Sequence, residues 1–161
     1  MAPVAVYGST MASDHDAIAT LIYTYAERLD AGDLDGVAAL FVRATMRSNL
    51  RPDVRRGSEA ALETFRSSVA LYDGTPCTKH VTTNVMIDID AQHSTAAARS
   101  YFSVLQARPE LPLQVVIAGR YHDQFARIDG LWHFTDRMIY VDLTGDLRFH
   151  LKRSVNGESD S

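Results

Sequence analysis

The chain has 161 residues, 46% of them hydrophobic and 22% charged, which is an ordinary globular composition at a length that suits one domain with its own core. Its 16 Lys and Arg against 20 Asp and Glu leave a net charge of −4, which argues against a nucleic-acid partner, and no run approaches the ~20 apolar residues of a membrane span. The single cysteine, Cys77, can make no internal disulfide, and the first ten residues carry neither a basic side chain nor a long apolar segment. A cytoplasmic protein without a secretory leader is therefore expected.

Residues 1–12 read as a loose leader, within which Met11 is an alternative start. Ser13 reads as the N-cap of a first helix, with Asp16 as the acidic half of a capping box. Ile18, Leu21, Ile22, Tyr25 and Leu29 recur at helical spacing as far as Asp30, and Gly32 is a natural stop. A short second helix starts near Asp33 and passes through Val37, Leu40 and Phe41. A short strand follows near 44–50, and residues 51–57 read as a polar connection. Ser58 is the N-cap candidate of a third helix carrying Leu62, Phe65, Val69 and Tyr72, ended by the turn residues Asp73-Gly74-Thr75-Pro76.

The period then changes. Residues 78–89 alternate, with Val81, Thr83, Val85 and Ile87 on one face and His80, Thr82, Asn84 and Met86 on the more polar other. Further strands are expected at 96–107, 113–128 and 131–143, with Asp129-Gly130 as a strong hairpin signal. Residues 152–161 read as a polar tail. Helices placed before a run of hairpins indicate a single α+β domain over 13–151, with a four-stranded antiparallel meander. Such long strands can curl around the helices and enclose a deep pocket.

Few residues are placed for chemistry. Asp30 puts a negative charge at the negative end of a helix dipole, at a cost of about 0.3–1 kcal/mol, so either something else favours it or it is an ordinary solvated aspartate. His80 is either a hydrogen-bonded structural histidine or a base near neutral pH, and a carboxylate on its other ring nitrogen would fix its tautomer; Asp30 is the candidate. Tyr121 and Asp123 share one strand face and His122 takes the other. Arg137 shares parity with His133, Thr135, Ile139 and Val141, and calls for an anionic partner: a salt bridge, such as one to a neighbouring subunit, or a substrate. Cys77 and His80 are an odd number apart in an extended segment, which disfavours a Cys-His pair. The histidine spacing fits no zinc motif, and phosphate loops and a GxSxG elbow are absent, so neither metal nor cofactor is expected. Arg43, Arg47, Arg51, Arg55 and Arg56 read as a solvated loop and edge strand, or a weak anion site.

Three segments, Ile18 to Phe41, Lys79 to Asn84 and Gly119 to Arg137, resemble the SnoaL-like branch of the nuclear transport factor 2-like superfamily, over about residues 13–145. The resemblance implies a cone-shaped, cystatin-like α+β barrel, with N-terminal helices packed on a curved antiparallel sheet and a pocket at the open end. It is nearest to scytalone dehydratase and hexachlorocyclohexane dehydrochlorinase, which use an Asp-His dyad without metal or cofactor. That implies Asp30 and His80 as the dyad and Tyr25, Arg137 and Trp132 as substrate-binding residues, with Trp132 as core or pocket wall. Tyr25 stands where the dehydrochlorinase has a lysine, which argues against halide elimination. The implied function is a cofactor-independent lyase of dehydratase type, or an isomerase, acting on a small apolar organic molecule. The alternatives are a non-catalytic binding module and the small subunit of a ring-hydroxylating dioxygenase. A homo-oligomer, dimer or trimer, is the implied assembly.

Overall fold

The computed structural model describes residues 13–152. The expected leader, and the expected tail beyond Lys152, lie outside the described residues. Helix α1 (Asp14–Asp30) opens on the expected capping box: Ser13 and Asp16 bond each other's backbone N–H. Helix α2 (Leu34–Ala39) is capped by Asp33, whose carboxylate accepts from the Gly36 N–H at 2.8 Å. The strands β1 (Thr45–Ser48) and β2 (Arg51–Arg56) precede helix α3 (Gly57–Ser68). Four long strands then follow: β3 (Thr78–Asp90), β4 (Thr95–Arg108), β5 (Leu111–Ile128) and β6 (Leu131–Thr144).

The curved sheet has six strands in the order β2-β1-β6-β5-β4-β3. The long strands pair antiparallel in sequence, as a meander. β1 adds parallel to β6, and β2 closes the far edge. Residues 51–56 are thus an edge strand and not a connection. Its side chains are nearly all exposed, so no apolar alternation marks it. Helix α3 begins at Gly57 and not after Ser58; the preceding Arg56 has no side-chain cap bond. The helix also ends at Ser68, four residues short of Tyr72. Val69 turns extended there to bridge Leu151, and Tyr72 instead pairs with Thr75. Both late residues are spent on holding other parts of the chain.

The core lies between the helices and the inner face of the sheet, with Ile18, Val37, Phe41, Val104, Phe125 and Phe134 almost wholly buried. Two irregularities decide which side chains reach it. In β3 the register slips between Thr83 and Met86, and Asn84 takes φ 51°. Before this bulge Thr78, His80 and Thr82 face inward while Val81 is 44% exposed; after it Val85 and Ile87 face inward. A bulge adds one residue and exchanges the faces, so the apparently apolar face of β3 is not one face. In β6 a slip opposite Gln124 and Phe125 has the same effect: Trp132 and Phe134 face inward, then Arg137 does, so Arg137 does not share a face with His133.

The end of α1 is fixed against the start of β3. Gly32 has φ 75°, and a Cβ there would collide with the Gly74 carbonyl. Only glycine allows the helix end and the turn before β3 to approach so closely. That approach sets Asp30 beside Thr78 and His80.

Candidate active site

Asp30 is the last residue of α1, and its carboxylate is fully engaged by β3. Oδ1 accepts from the Thr78 hydroxyl at 2.7 Å and lies 2.6 Å from His80 Nδ1; Oδ2 accepts from the His80 backbone N–H at 2.7 Å. The two side chains are 8% and 7% exposed. These bonds offset the unfavourable helix-end position noted above. Burial pushes the Asp30 carboxyl up, but the hydrogen bonds and charge of His80, with the Thr78 hydroxyl, outweigh it and hold the group below the usual carboxylate value. An ionised Asp30 assigns the imidazole proton to Nδ1, which leaves Nε2 with a free lone pair.

His80 lines a cavity of about 210 Å³ between α1, α3 and the sheet. Its walls are mainly apolar, from Leu29, Phe65, Phe102, Val104 and Ile117, with Tyr25 and Tyr121 as polar groups. The two tyrosine rings meet edge to face at 5.8 Å. Burial raises both phenols above the ordinary tyrosine value, so both are neutral O–H donors at neutral pH. Thr78 and Tyr121 enlarge the set of site residues: neither is marked by sequence period, because both needed the strand faces to be known.

Arg137 and Trp132 do not line this cavity. The Arg137 guanidinium is fully buried and pairs through Nε and Nη2 with the two Asp123 carboxylate oxygens, each at 2.8 Å. It stacks 4.2 Å from the Tyr25 ring centre and 4.1 Å from that of Tyr121. Burial alone would lower its pKa, but the charge and hydrogen bonds of Asp123 outweigh that and raise it, so it stays charged behind the two phenols. Asp123 is its anionic partner within the chain. Trp132 donates from Nε1 to Asp14 at 3.0 Å, near the start of α1. Its ring ties the helix to the far end of the β5–β6 hairpin. His122 lies on the outer face, its ring 5.1 Å from that of Tyr140.

The basic stretch reaches the cavity rim through Arg47, Arg51 and Arg55. Arg47 is bonded to Asp136 and Arg55 to Asp53. Cys77 contacts Thr75 and Arg108. Among the described residues no group of three or more His, Cys, Asp or Glu is placed to hold a metal ion.

Two cavity residues, His150 and Leu151, follow the last strand. The chain folds back after Thr144, with the Gly145 N–H bonded to the Val116 carbonyl at 2.8 Å. The Phe149 carbonyl accepts from the Tyr72 hydroxyl and from Gln106 Nε2, both at 2.9 Å, and the Lys152 N–H bonds the Ser68 carbonyl. These bonds bring His150 to the cavity that holds His80. The apolar residues Leu147, Phe149 and Leu151 could have marked a segment that packs back, but nothing in the sequence marks its histidine.

Burial, then the charge of His80, lowers the His150 pKa to about 4, with Asp30 opposing. The unfolded ring takes up its proton near the ordinary value of 6.5. Between those values the unfolded chain binds more protons than the folded one, so stability falls as pH drops through that window. Urea unfolding at about pH 7 and about pH 5 should show a smaller loss in His150→Gln than in the unaltered protein. An equal loss would mean that the ring is not held neutral.

The SnoaL-like domain model matches residues 10–138. No curated protein matches the chain in sequence. Among solved structures, a candidate scytalone dehydratase from Novosphingobium aromaticivorans is 21% identical, covering 91% of this chain and 95% of that one, with a TM-score of 0.67. A nuclear transport factor 2-like protein with a cystatin-like fold from the same organism is 16% identical, covering 80% and 81%, also at 0.67. The beta subunit of a candidate aromatic-ring-hydroxylating dioxygenase, again from that organism, is 17% identical over 83% and 93%, at 0.64. At these identities the likeness is one of fold. With the family match spanning most of its length, the chain belongs to the SnoaL-like family and has the nuclear transport factor 2-like, cystatin-like fold.

Proposed function

We propose that the protein is a cofactor-independent lyase of dehydratase type, or an isomerase, acting on a small apolar organic molecule. The observation that carries this reading is the buried Asp30–His80 pair at the wall of an apolar cavity. His80 Nε2 takes a proton from a substrate carbon. In the elimination, the released electron pair forms the C=C bond as the C–O bond breaks. The imidazolium then returns its proton to the departing hydroxyl, which leaves as water. In an isomerisation the proton returns to a different carbon. Asp30 holds the tautomer and stabilises the imidazolium, and the Tyr25 phenol orients the substrate. A positioned base contributes roughly 10²–10⁴-fold, and the remainder falls to the shape and fixed dipoles of the cavity. At about 210 Å³ the cavity is smaller than the roughly 300–1,000 Å³ of drug-sized sites, which favours a small substrate.

A homo-oligomer in the cytoplasm is part of the same reading. The outer sheet face exposes Val81, Tyr101 and Val115, apolar surface that a second copy would cover. No helix among the described residues is long and apolar enough to cross a membrane.

Nitrobenzisoxazole, an apolar molecule that opens to a cyanophenolate when a base removes its ring C–H proton, tests the base directly. The unaltered protein should open it faster than buffer does, and His80→Ala should lose that activity by about 10²-fold or more. Equal rates in the two proteins would leave the cavity as a binding site, or the chain as a structural subunit.

A further inference from the structure

We infer that His150 is a second catalytic residue, donating a hydrogen bond from its neutral ring to the substrate oxygen on which negative charge develops as His80 removes the proton. This rests on the lyase or isomerase reading and adds a residue and a role to it.

Three observations point the same way. His150 lines the cavity together with His80, although the two are carried by segments seventy positions apart. Its side chain has no hydrogen-bond partner among the described residues, and Nδ1 is buried. Buried polar side chains are nearly always bonded, so a ring without a protein partner beside a cavity is open to a bond with what fills the cavity. The backbone around it is, in contrast, fully held. The His150 N–H bonds the Leu147 carbonyl at 3.0 Å, its carbonyl accepts from the Ala70 N–H at 3.3 Å, and Tyr72 and Gln106 hold the Phe149 carbonyl. The backbone that carries the ring is therefore held before substrate arrives.

The charge state decides the role. With its pKa lowered to about 4, His150 is neutral at neutral pH and too weak a base to take the substrate proton itself. A neutral imidazole still carries one N–H. In a cavity walled by Phe65, Phe102 and Val104, that donor acts on developing charge with little competition from water. The step balances without loss of the His150 proton. The C–H bond breaks, its proton goes to His80 Nε2, and the electron pair moves into the substrate toward the oxygen that His150 holds. His80 then gives the proton back to that oxygen or to a second carbon. The bond strengthens as charge builds on the oxygen, so it stabilises the transition state more than the bound substrate.

Benzisoxazole and nitrobenzisoxazole separate this role from structural support. Both place negative charge on a phenolic oxygen as the ring opens, but the nitro group disperses that charge. His150→Phe keeps a ring and loses the donor; His150→Gln keeps an N–H donor. His150→Phe should lower kcat/KM for benzisoxazole on the order of 10²-fold, and for nitrobenzisoxazole by about tenfold or less. His150→Gln should recover most of the difference. If the Phe ring does not pack, His150→Leu provides the variant without a donor. Equal losses on both substrates would overturn the proposal and leave His150 a packing residue. Equal rates in the unaltered protein and His80→Ala would instead overturn the reading of His80 as the base, and this proposal with it.

Discussion

Asp123→Ala should lower the stability of the fold by about 3–5 kcal/mol, measured as a shift in urea unfolding. The Arg137 guanidinium is fully buried and Asp123 is 1% exposed, so removing the carboxylate leaves a charge with neither water nor a counter-ion. The aromatic faces of Tyr25, Tyr121 and Phe134 around it offset only part of that cost. Replacing both partners by apolar residues of similar volume, Asp123→Leu with Arg137→Met, should recover most of the loss, because the penalty comes from the unpaired ion. A single variant within about 1 kcal/mol of the unaltered protein would mean that the pair is not buried as described. The pair also supports the cavity from behind: the two tyrosines that line it rest on the guanidinium.

Asp30→Asn should reduce kcat/KM for nitrobenzisoxazole by about 10²–10⁴-fold while leaving the fold intact. With the amide oxygen at the Oδ2 position it still accepts from the His80 backbone N–H, while the amide NH2, at the Oδ1 position, donates to the Thr78 hydroxyl. The amide NH2 then faces His80 Nδ1, which must become an acceptor. The ring proton moves to Nε2, and the lone pair that takes the substrate proton is gone. The negative charge that stabilises the imidazolium is lost as well. A rate within about threefold of the unaltered protein would show that His80 does not depend on Asp30 for its tautomer.

Local signals in the sequence carry much of the fold. The Ser13–Asp16 capping box, the Ile18–Leu29 period and the Asp129-Gly130 turn each specify a short-range structure with a distinct chemical mark, and each is found where it is expected. The features that escape depend on partners distant in sequence. Edge strand β2 is too exposed and too rich in arginine to show an alternation. The end of α3 is set by Leu151 and Lys152, more than eighty residues later.

The bulges matter most for the site. In an unbroken hairpin register from the Asp129-Gly130 turn, Asp123 would lie opposite Asp136. The slip near Gln124 brings Arg137 opposite instead, turning a like-charge clash into an ion pair. The slip at Asn84 turns the polar face of β3 inward at His80. Neither shift is written in hydrophobic period, so strand faces read from alternation hold only as far as the nearest bulge. The residue types make Asp30 a candidate partner of His80 and the family resemblance implies the pair, but their contact at 2.6 Å depends on the approach of Gly32 to the turn before β3. His150 carries no such mark, because its role depends on where the chain end folds.

Nitrogen NMR of the histidine side chains is the most direct test of His80 as a base oriented by Asp30. At neutral pH the His80 ring should show a protonated Nδ1 and a bare Nε2, and Asp30→Asn should move that proton to Nε2. A His80 ring protonated on Nε2 in the unaltered protein would contradict the account, because no lone pair would then face the cavity.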